Sequence, residues 1–222
     1  MTSLNVFALT GAAAEPFVEA GHRIEFVSCD TVYAAVERIE ERPALSEDSL
    51  RTQHAIVAQV AERVDAVLPA RFGSVVDAGE LTRLVVLRRD AIGQALDLVR
   101  GRVQMTVRRF TSLVRSAAPA LPVARSGSIS GTAYLQERRS AATPVLSSDI
   151  DAIAAAVRGL VASERAEAGH GHVAATVYHL VDRGTVEAYS EAIQALRSRI
   201  GTDTLTVSGP WPPFAFVPDL WA

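Results

Sequence analysis

Three histidines stand close together late in the chain, His170, His172 and His179, and they are its best metal candidates. A structural zinc site takes four nitrogen, sulfur or carboxylate ligands in a tetrahedron. The His170-Gly171-His172 step offers two imidazoles in a turn, but no cysteine or carboxylate completes the usual set. A solvent-exposed loop is the better account, and no metal is expected. The single cysteine, Cys29, would act as a nucleophile only with a base beside it, for which His22 is the candidate; a lone cysteine in a turn is ordinarily inert. Ser126-Gly127-Ser128-Ile129-Ser130-Gly131 fails the G-x-S-x-G elbow, because Ile129 occupies the nucleophile's place. It is also too short for a phosphate-binding Walker loop and carries no lysine, and no G-x-G-x-x-G follows a strand. The chain therefore shows no recognisable catalytic apparatus and no cofactor motif.

The arginines offer binding chemistry. All 22 basic residues are arginine, against 25 acidic ones, for a formal net charge of −3, so there is no global basic footprint for nucleic acid. The planar guanidinium suits carboxylate recognition and protein interfaces. Arg71, between Pro69 and Phe72, is placed to pair with Asp77 or Glu80 at the next helix start. Arg100, Arg102, Arg108, Arg109 and Arg115 gather around one strand. Alternation puts Arg102 and Arg108 on its polar face with Gln104 and Thr106, either as a solvated face or as a partner surface.

The elements that must position these groups follow from periodicity and turn chemistry. Leu4–Leu9, Ile24–Ser28 and Val32–Ile39 read as strands, with Ala12–Ala20 a connection holding at most one helical turn near Pro16. Ser46 caps a helix stapled by Leu45 and Leu50, with Leu50, Val57, Val60 and Val64 on its apolar face. Val67–Val76 reads as a strand bent at Pro69. Asp77 and Glu80 open a second helix, whose stripe of Leu81, Val85, Ile92, Leu96 and Val99 ends at Gly101. Val103–Arg108 alternates as a half-buried strand. Ser116–Gly131 is rich in Ala, Pro, Ser and Gly and reads as a linker. Beyond it come a strand at Thr132–Glu137, a helix over Ser148–Ala168, a strand at Val173–Val181, a helix carrying Tyr189, Ile193, Leu196 and Ile200, and a strand at Leu205–Ser208. The organisation expected is an N-terminal α+β unit at 1–115, a linker at 116–131, a second α+β unit at 132–208, and a strap at 209–222.

That strap is the most distinctive stretch. Gly209-Pro210-Trp211-Pro212-Pro213-Phe214-Ala215-Phe216-Val217 cannot continue a helix, and its prolines fix an extended path. It carries three large apolar groups, Trp211, Phe214 and Phe216, either into a core or onto a partner. The structural role is expected, with Trp211 and Phe214 buried and the strap crossing to the first unit.

The strap resembles the GPWPPY/F-x-F-V stretch that ends the gas vesicle accessory proteins of the GvpF/GvpL family. Val67-Leu68-Pro69-Ala70-Arg71-Phe72-Gly73 is similar to that family's LPVRFG stretch, with Ala70 in place of valine. Tyr178-His179-Leu180-Val181-Asp182-Arg183 is similar to its YLVDR strand. Order and spacing agree for all three, so the resemblance spans nearly the whole chain; Gln104 stands where family members usually carry glutamate. The resemblance implies two modified ferredoxin-like α/β-sandwich units. It also implies a non-enzymatic assembly factor that binds the small hydrophobic gas vesicle shell protein, with other gas vesicle accessory proteins as further candidate partners. The family-motif residues are Leu68, Pro69, Arg71, Phe72, Gly73, Gly209, Pro210, Trp211, Pro212, Pro213 and Phe214.

No apolar run approaches the ~18–20 residues that span a bilayer, and the N-terminus lacks a signal core, so a cytoplasmic protein associated with gas vesicles, without membrane or nucleic-acid partners, is expected. Ferredoxin-like sheets also serve as RNA-binding or small-molecule-sensing modules. Against the first stand the missing aromatic RNA-binding strand motif and the net charge; against the second stands the empty catalytic survey.

Overall fold

A computed structural model describes residues 3–110, 150–169, 172–200 and 205–218. Its first sheet is antiparallel throughout, built from β1 (Ser3–Thr10), β2 (Phe17–Glu19), β3 (His22–Cys29), β4 (Val32–Ile39), β5 (Val67–Pro69) and β6 (Val75–Val76). The order is β2-β3-β4-β1-β5, with β6 also on β1. Leu4–Thr10 of β1 is buried on both faces because helices cover both. Helix α1 (Glu47–Arg63) packs Ile56, Val57 and Val60 against Phe7, Ile24 and Ala35. Helices α2 (Ala78–Leu87) and α3 (Arg89–Val99) close the other face with the expected stripe of Leu81, Val85, Ile92, Leu96 and Val99.

The capping chemistry is as the sequence implies. The Ser46 hydroxyl accepts from the Ser49 N–H at 3.1 Å, and the Asp77 carboxylate accepts from the Glu80 N–H at 2.8 Å. Four local readings need correction. Phe17–Glu19 is a strand, because the Ala20-Gly21 turn at positive φ folds it back onto β3. The Leu45–Leu50 staple is absent as a buried contact, since both side chains are exposed. The strand at 67–76 is two pieces around a turn at 70–74, where Gly73 adopts φ +74°. The second helix is broken at Arg88, whose φ of −116° and ψ of 20° leave the α region.

The second sheet, also antiparallel, runs β10-β7-β9-β8, from β7 (Arg102–Phe110), β8 (Val161–Ala168), β9 (Val173–Asp182) and β10 (Leu205–Trp211). The strand β7 thus pairs with strands from the C-terminal half. One face packs Met105, Val107, Val177, Val181 and Leu205 against α4, described over 150–156, and α5 (Val186–Ile200), through Ile153, Val157, Tyr189, Ile193 and Leu196. The helix expected over Ser148–Ala168 ends before Gly159, which takes φ +82°, and Val161–Ala168 becomes an edge strand on β9. Its Ala, Glu and Arg residues favour helix locally, but pairing with β9 overrides that preference. The linker at 116–131, with Arg115 and the Ser126–Gly131 run, and the strand at Thr132–Glu137 lie outside the described residues, as do His170 and the end of the strap beyond Pro218.

Candidate functional site

The strap begins inside the second sheet. Ser208 of β10 lies opposite Thr106 of β7, the register then shifts at the cis Gly209–Pro210 bond, and Trp211 lies opposite Gln104. Gly209 holds φ +130°, and a Cβ there would stand 2.8 Å from the Gln104 carbonyl oxygen and 2.9 Å from Met105 Sδ, so only glycine fits. Past the buried Pro212 and Pro213, the Phe214–Phe216 stretch makes one 3₁₀ turn. The Ala215 N–H donates to Gln104 Oε1 at 2.7 Å, while Gln104 Nε2 donates to Thr106 Oγ1 at 3.1 Å. A neutral amide therefore satisfies both neighbours at this buried position. Phe216, 2% exposed, enters the first sheet's core, and so does Leu180 from β9. One apolar cluster thus draws residues from both sheets, beside the second sheet's own core.

The strap's aromatics divide between two roles. Trp211 and Phe214, expected to be buried, are 37% and 38% exposed; Phe216 is the buried anchor. A short chain turning at Pro213 cannot direct three successive large groups inward. His54 of α1 lies under both exposed rings, edge-on to Trp211 at 5.2 Å between centroids and stacked on Phe214 at 5.8 Å. Nothing in the sequence pairs residue 54 with residues 211 and 214, so His54 was not foreseen.

The LPxRFG turn abuts the strap. Leu68 is buried, Pro69 lies opposite Ala8 of β1, and the Ala70 N–H donates to the Phe7 carbonyl at 2.8 Å. Gln53 Nε2 of α1 donates to the Ala70 carbonyl at 2.9 Å, and Ser74 Oγ to the Arg71 carbonyl at 2.8 Å. Phe72 is half-buried, and Arg71 is exposed at the mouth of a cavity of about 360 Å3. That cavity is lined by Pro69, Ala70, Arg71, Arg165, Phe214, Val217 and Pro218, so two sequence motifs 140 residues apart form one site.

The third motif fastens the sheets together. Asp182 accepts from Arg102 Nε at 3.0 Å, and Arg102 Nη1 donates to the Leu98 carbonyl at 2.5 Å. Arg183 donates from its side chain to the Ala61 carbonyl of α1 at 2.7 Å and from its backbone to the Gly101 carbonyl at 3.0 Å. Gln104 and Thr106, expected on a polar outer face, are buried beneath the strap region; Arg108 stays exposed. Arg100 pairs with Asp97 at 3.0 Å.

The chemistry-bearing residues disperse. Cys29 is in the core, where burial pushes its thiol pKa up. His22 is bound to Glu37 at 2.9 Å, at the far end of β3 from Cys29, about 23 Å away along an extended strand. His179 is fully buried: its Nδ1 meets the Tyr189 hydroxyl at 2.7 Å and its Nε2 meets Glu164 Oε2 at 3.0 Å. The carboxylate fixes the tautomer, so Nε2–H donates to Glu164 and Nδ1 accepts from Tyr189. Burial holds the imidazole pKa below its usual value, opposed by Glu164, and raises that of Tyr189. His172 is exposed, and among the described residues no group of three or more His, Cys, Asp or Glu could hold a metal. No helix among the described residues is long and apolar enough to cross a membrane.

Two antiparallel sheets that both contribute to one apolar cluster, with a strap that buries Phe216 and leaves Trp211 and Phe214 partly exposed, define an α+β protein. The chain belongs to the gas vesicle synthesis protein GvpL/GvpF family, whose model matches residues 6–218. The crystal structure of the gas vesicle protein GvpF from Microcystis aeruginosa superposes with a TM-score of 0.80 at 12% identity, covering 97% of this chain and 99% of that one. GvpF from Anabaena sp. PCC7120 gives 0.76 at 13% identity, covering 98% and 99%. No curated protein matches in sequence.

Proposed function

We propose that this chain is a non-enzymatic accessory protein of gas vesicle formation, acting in the cytoplasm at the growing vesicle, and that it binds the small hydrophobic shell protein. Family membership supports the gas vesicle role. The observation that carries the binding role is the division of the strap: Phe216 locks the two sheets together while Trp211 and Phe214 stay exposed on His54. Exposed aromatics on a rigid support are the usual anchors of protein interfaces. A gas-filled shell needs subunits with a strongly apolar face, and such a face aggregates unless shielded before assembly. The Trp211–Phe214 surface supplies a pre-formed apolar cover, and the seam around it lets the two sheets act as one body.

Gene deletion in a vesicle-forming host tests this. Loss of vesicles, restored by the wild-type chain but not by a Trp211→Ala/Phe214→Ala chain that accumulates to the same level, is expected. Vesicles of unchanged number and shape after deletion would refute the reading.

A further inference from the structure

We infer that the edge strand β8 is a self-association surface, on which a second copy of this chain lays its own β8 antiparallel about a twofold axis at Ala166. The two four-stranded sheets then join into one continuous sheet. This goes beyond the shell-binding reading and does not rest on it.

Among the described residues, β8 pairs with β9 alone and forms one edge of the second sheet. Just past the strand, the Gly169 N–H donates to the Ala174 carbonyl at 3.1 Å. The register continues from there with Ala168 opposite Ala175, Glu167 opposite Thr176 and Arg165 opposite Tyr178. Antiparallel residue pairs alternate between hydrogen-bonded and non-hydrogen-bonded. Glu167 and Arg165 therefore direct their main-chain groups to β9, while those of Glu164, Ala166 and Ala168 point out of the sheet. The whole of Glu164–Ala168 is exposed. Such a row of outward N–H and C=O groups is a template for another strand. The register shift between Val161 and Ser163 confines that template to Glu164–Ala168.

Charge selects the occupant. Twofold antiparallel pairing sets the central residue opposite its own copy, and residues equally far on either side opposite each other. Centred on Ala166, it sets Arg165 opposite Glu167 of the second copy, and Glu167 opposite Arg165 of the second copy. Both are non-hydrogen-bonded pairs, whose Cα atoms approach to ~4.5 Å and whose side chains lie closest. The outward groups of Ala166 meet their own copy, and those of Glu164 meet Ala168. Neighbouring registers are repulsive: centring on Arg165 opposes two guanidiniums, and centring on Glu164 or Glu167 opposes two carboxylates. The charged pair is also held in place from within the sheet. The Arg165 guanidinium lies 5.7 Å from the centre of the Phe216 ring, and the Tyr178 hydroxyl donates to Glu167 Oε2 at 3.0 Å. A carboxylate held by one oxygen still offers the other to an arginine fork. Trp211 ends β10, the opposite edge of the sheet, so the pairing leaves its ring uncovered and a dimer carries two aromatic faces.

Sedimentation velocity of the full chain over a concentration series tests this, beside oxidative cross-linking of an Ala166→Cys variant. A reversible dimer is expected. Ala166→Cys should cross-link on mild oxidation, because a hydrogen-bonded antiparallel pair holds its Cα atoms ~5.5 Å apart, inside the ~4.4–6.8 Å that a disulfide spans. Ala162→Cys is the control: it lies off the axis, its two copies stand about 27 Å apart, and it should not cross-link. The native Cys29 is buried and does not compete. Arg165→Glu and Glu167→Arg should each weaken dimerisation by about tenfold, and the double variant should restore it, since the exchanged charges pair again. That rescue separates an edge contact from a loss of folding. Ala166→Pro removes an outward N–H that β9 does not use and should leave a folded monomer. The inference is overturned by a chain that stays monomeric throughout the series, by Ala162→Cys cross-linking as readily as Ala166→Cys, by a double variant no better than the single ones, or by a dimer that Ala166→Pro leaves intact. An edge that captures a strand of another protein while the chain remains monomeric overturns it as well. No vesicle component is present, so these outcomes leave the assembly reading untouched, and failed vesicle complementation leaves the dimer standing.

Discussion

Replacing Phe216 by alanine tests whether the strap is the lock between the sheets. The ring is 2% exposed and packs into the core that also takes Leu4, Leu68, Leu96 and Leu180. Emptying such a site costs about 3–5 kcal/mol, and losing the Arg165 contact adds roughly 0.5 kcal/mol. Against a total stability of ~5–15 kcal/mol, that is a large fraction. In a chain of this size each kcal/mol moves the melting temperature by about 2–4 °C, so a fall of roughly 7–22 °C is expected. Circular dichroism melts at fixed concentration read it, with Phe216→Leu recovering most of the loss because it refills most of the volume. Phe214→Ala is the control: its ring is 38% exposed and should cost about 1 kcal/mol or less. A Phe216→Ala protein that melts within about 2 °C of wild type, or a larger fall for Phe214→Ala, would refute the division of roles.

Gly209→Ala should destabilise by about 2 kcal/mol or more, since the new Cβ would meet the Gln104 carbonyl at 2.8 Å at a backbone of φ +130°; an unchanged urea midpoint would contradict it. Arg102→Glu sets a carboxylate beside Asp182 and strands the Leu98 carbonyl, for a loss of about 1–3 kcal/mol, while Arg108→Glu, being exposed, should stay within about 0.5 kcal/mol. Equal effects of the two in chemical denaturation would show that the seam contact is not structural. The pH dependence follows from His179. Its folded pKa lies below the ordinary 6.5, so the unfolded chain binds a proton there that the folded chain refuses. Stability from this group is complete above pH 6.5 and declines as pH falls below it. His179→Gln should flatten the melting temperature between roughly pH 5 and 7, and an unaltered slope would count against the buried neutral imidazole.

Alternating and capped segments were legible in the sequence. The stripe Leu81–Val99 declares its face by period, Leu4–Leu9 and Val103–Arg108 read as strands though not by which face is covered, and Ser46 and Asp77 sit where a cap must. Val161–Ala168 was not legible, because its composition favours helix and only pairing with β9 makes it a strand. The strap's exceptional chemistry was visible, but the inward and outward partition of its rings was not. That depends on Gln104 holding the Ala215 N–H and on His54 arriving from another helix. That Arg71 and Arg165 line one cavity was likewise hidden, since they come from different sheets.

The most direct measurement is co-elution. The tagged chain and the small hydrophobic shell protein are co-expressed, and their complex is followed by affinity capture and size-exclusion chromatography, beside a Trp211→Ala/Phe214→Ala variant shown by its melt to be folded. The account predicts a stable complex for the wild type and its loss for the folded variant. A wild-type chain that never co-elutes with the shell protein, or a folded variant that binds it as well as wild type, would contradict the claim that this exposed aromatic face receives the shell subunit.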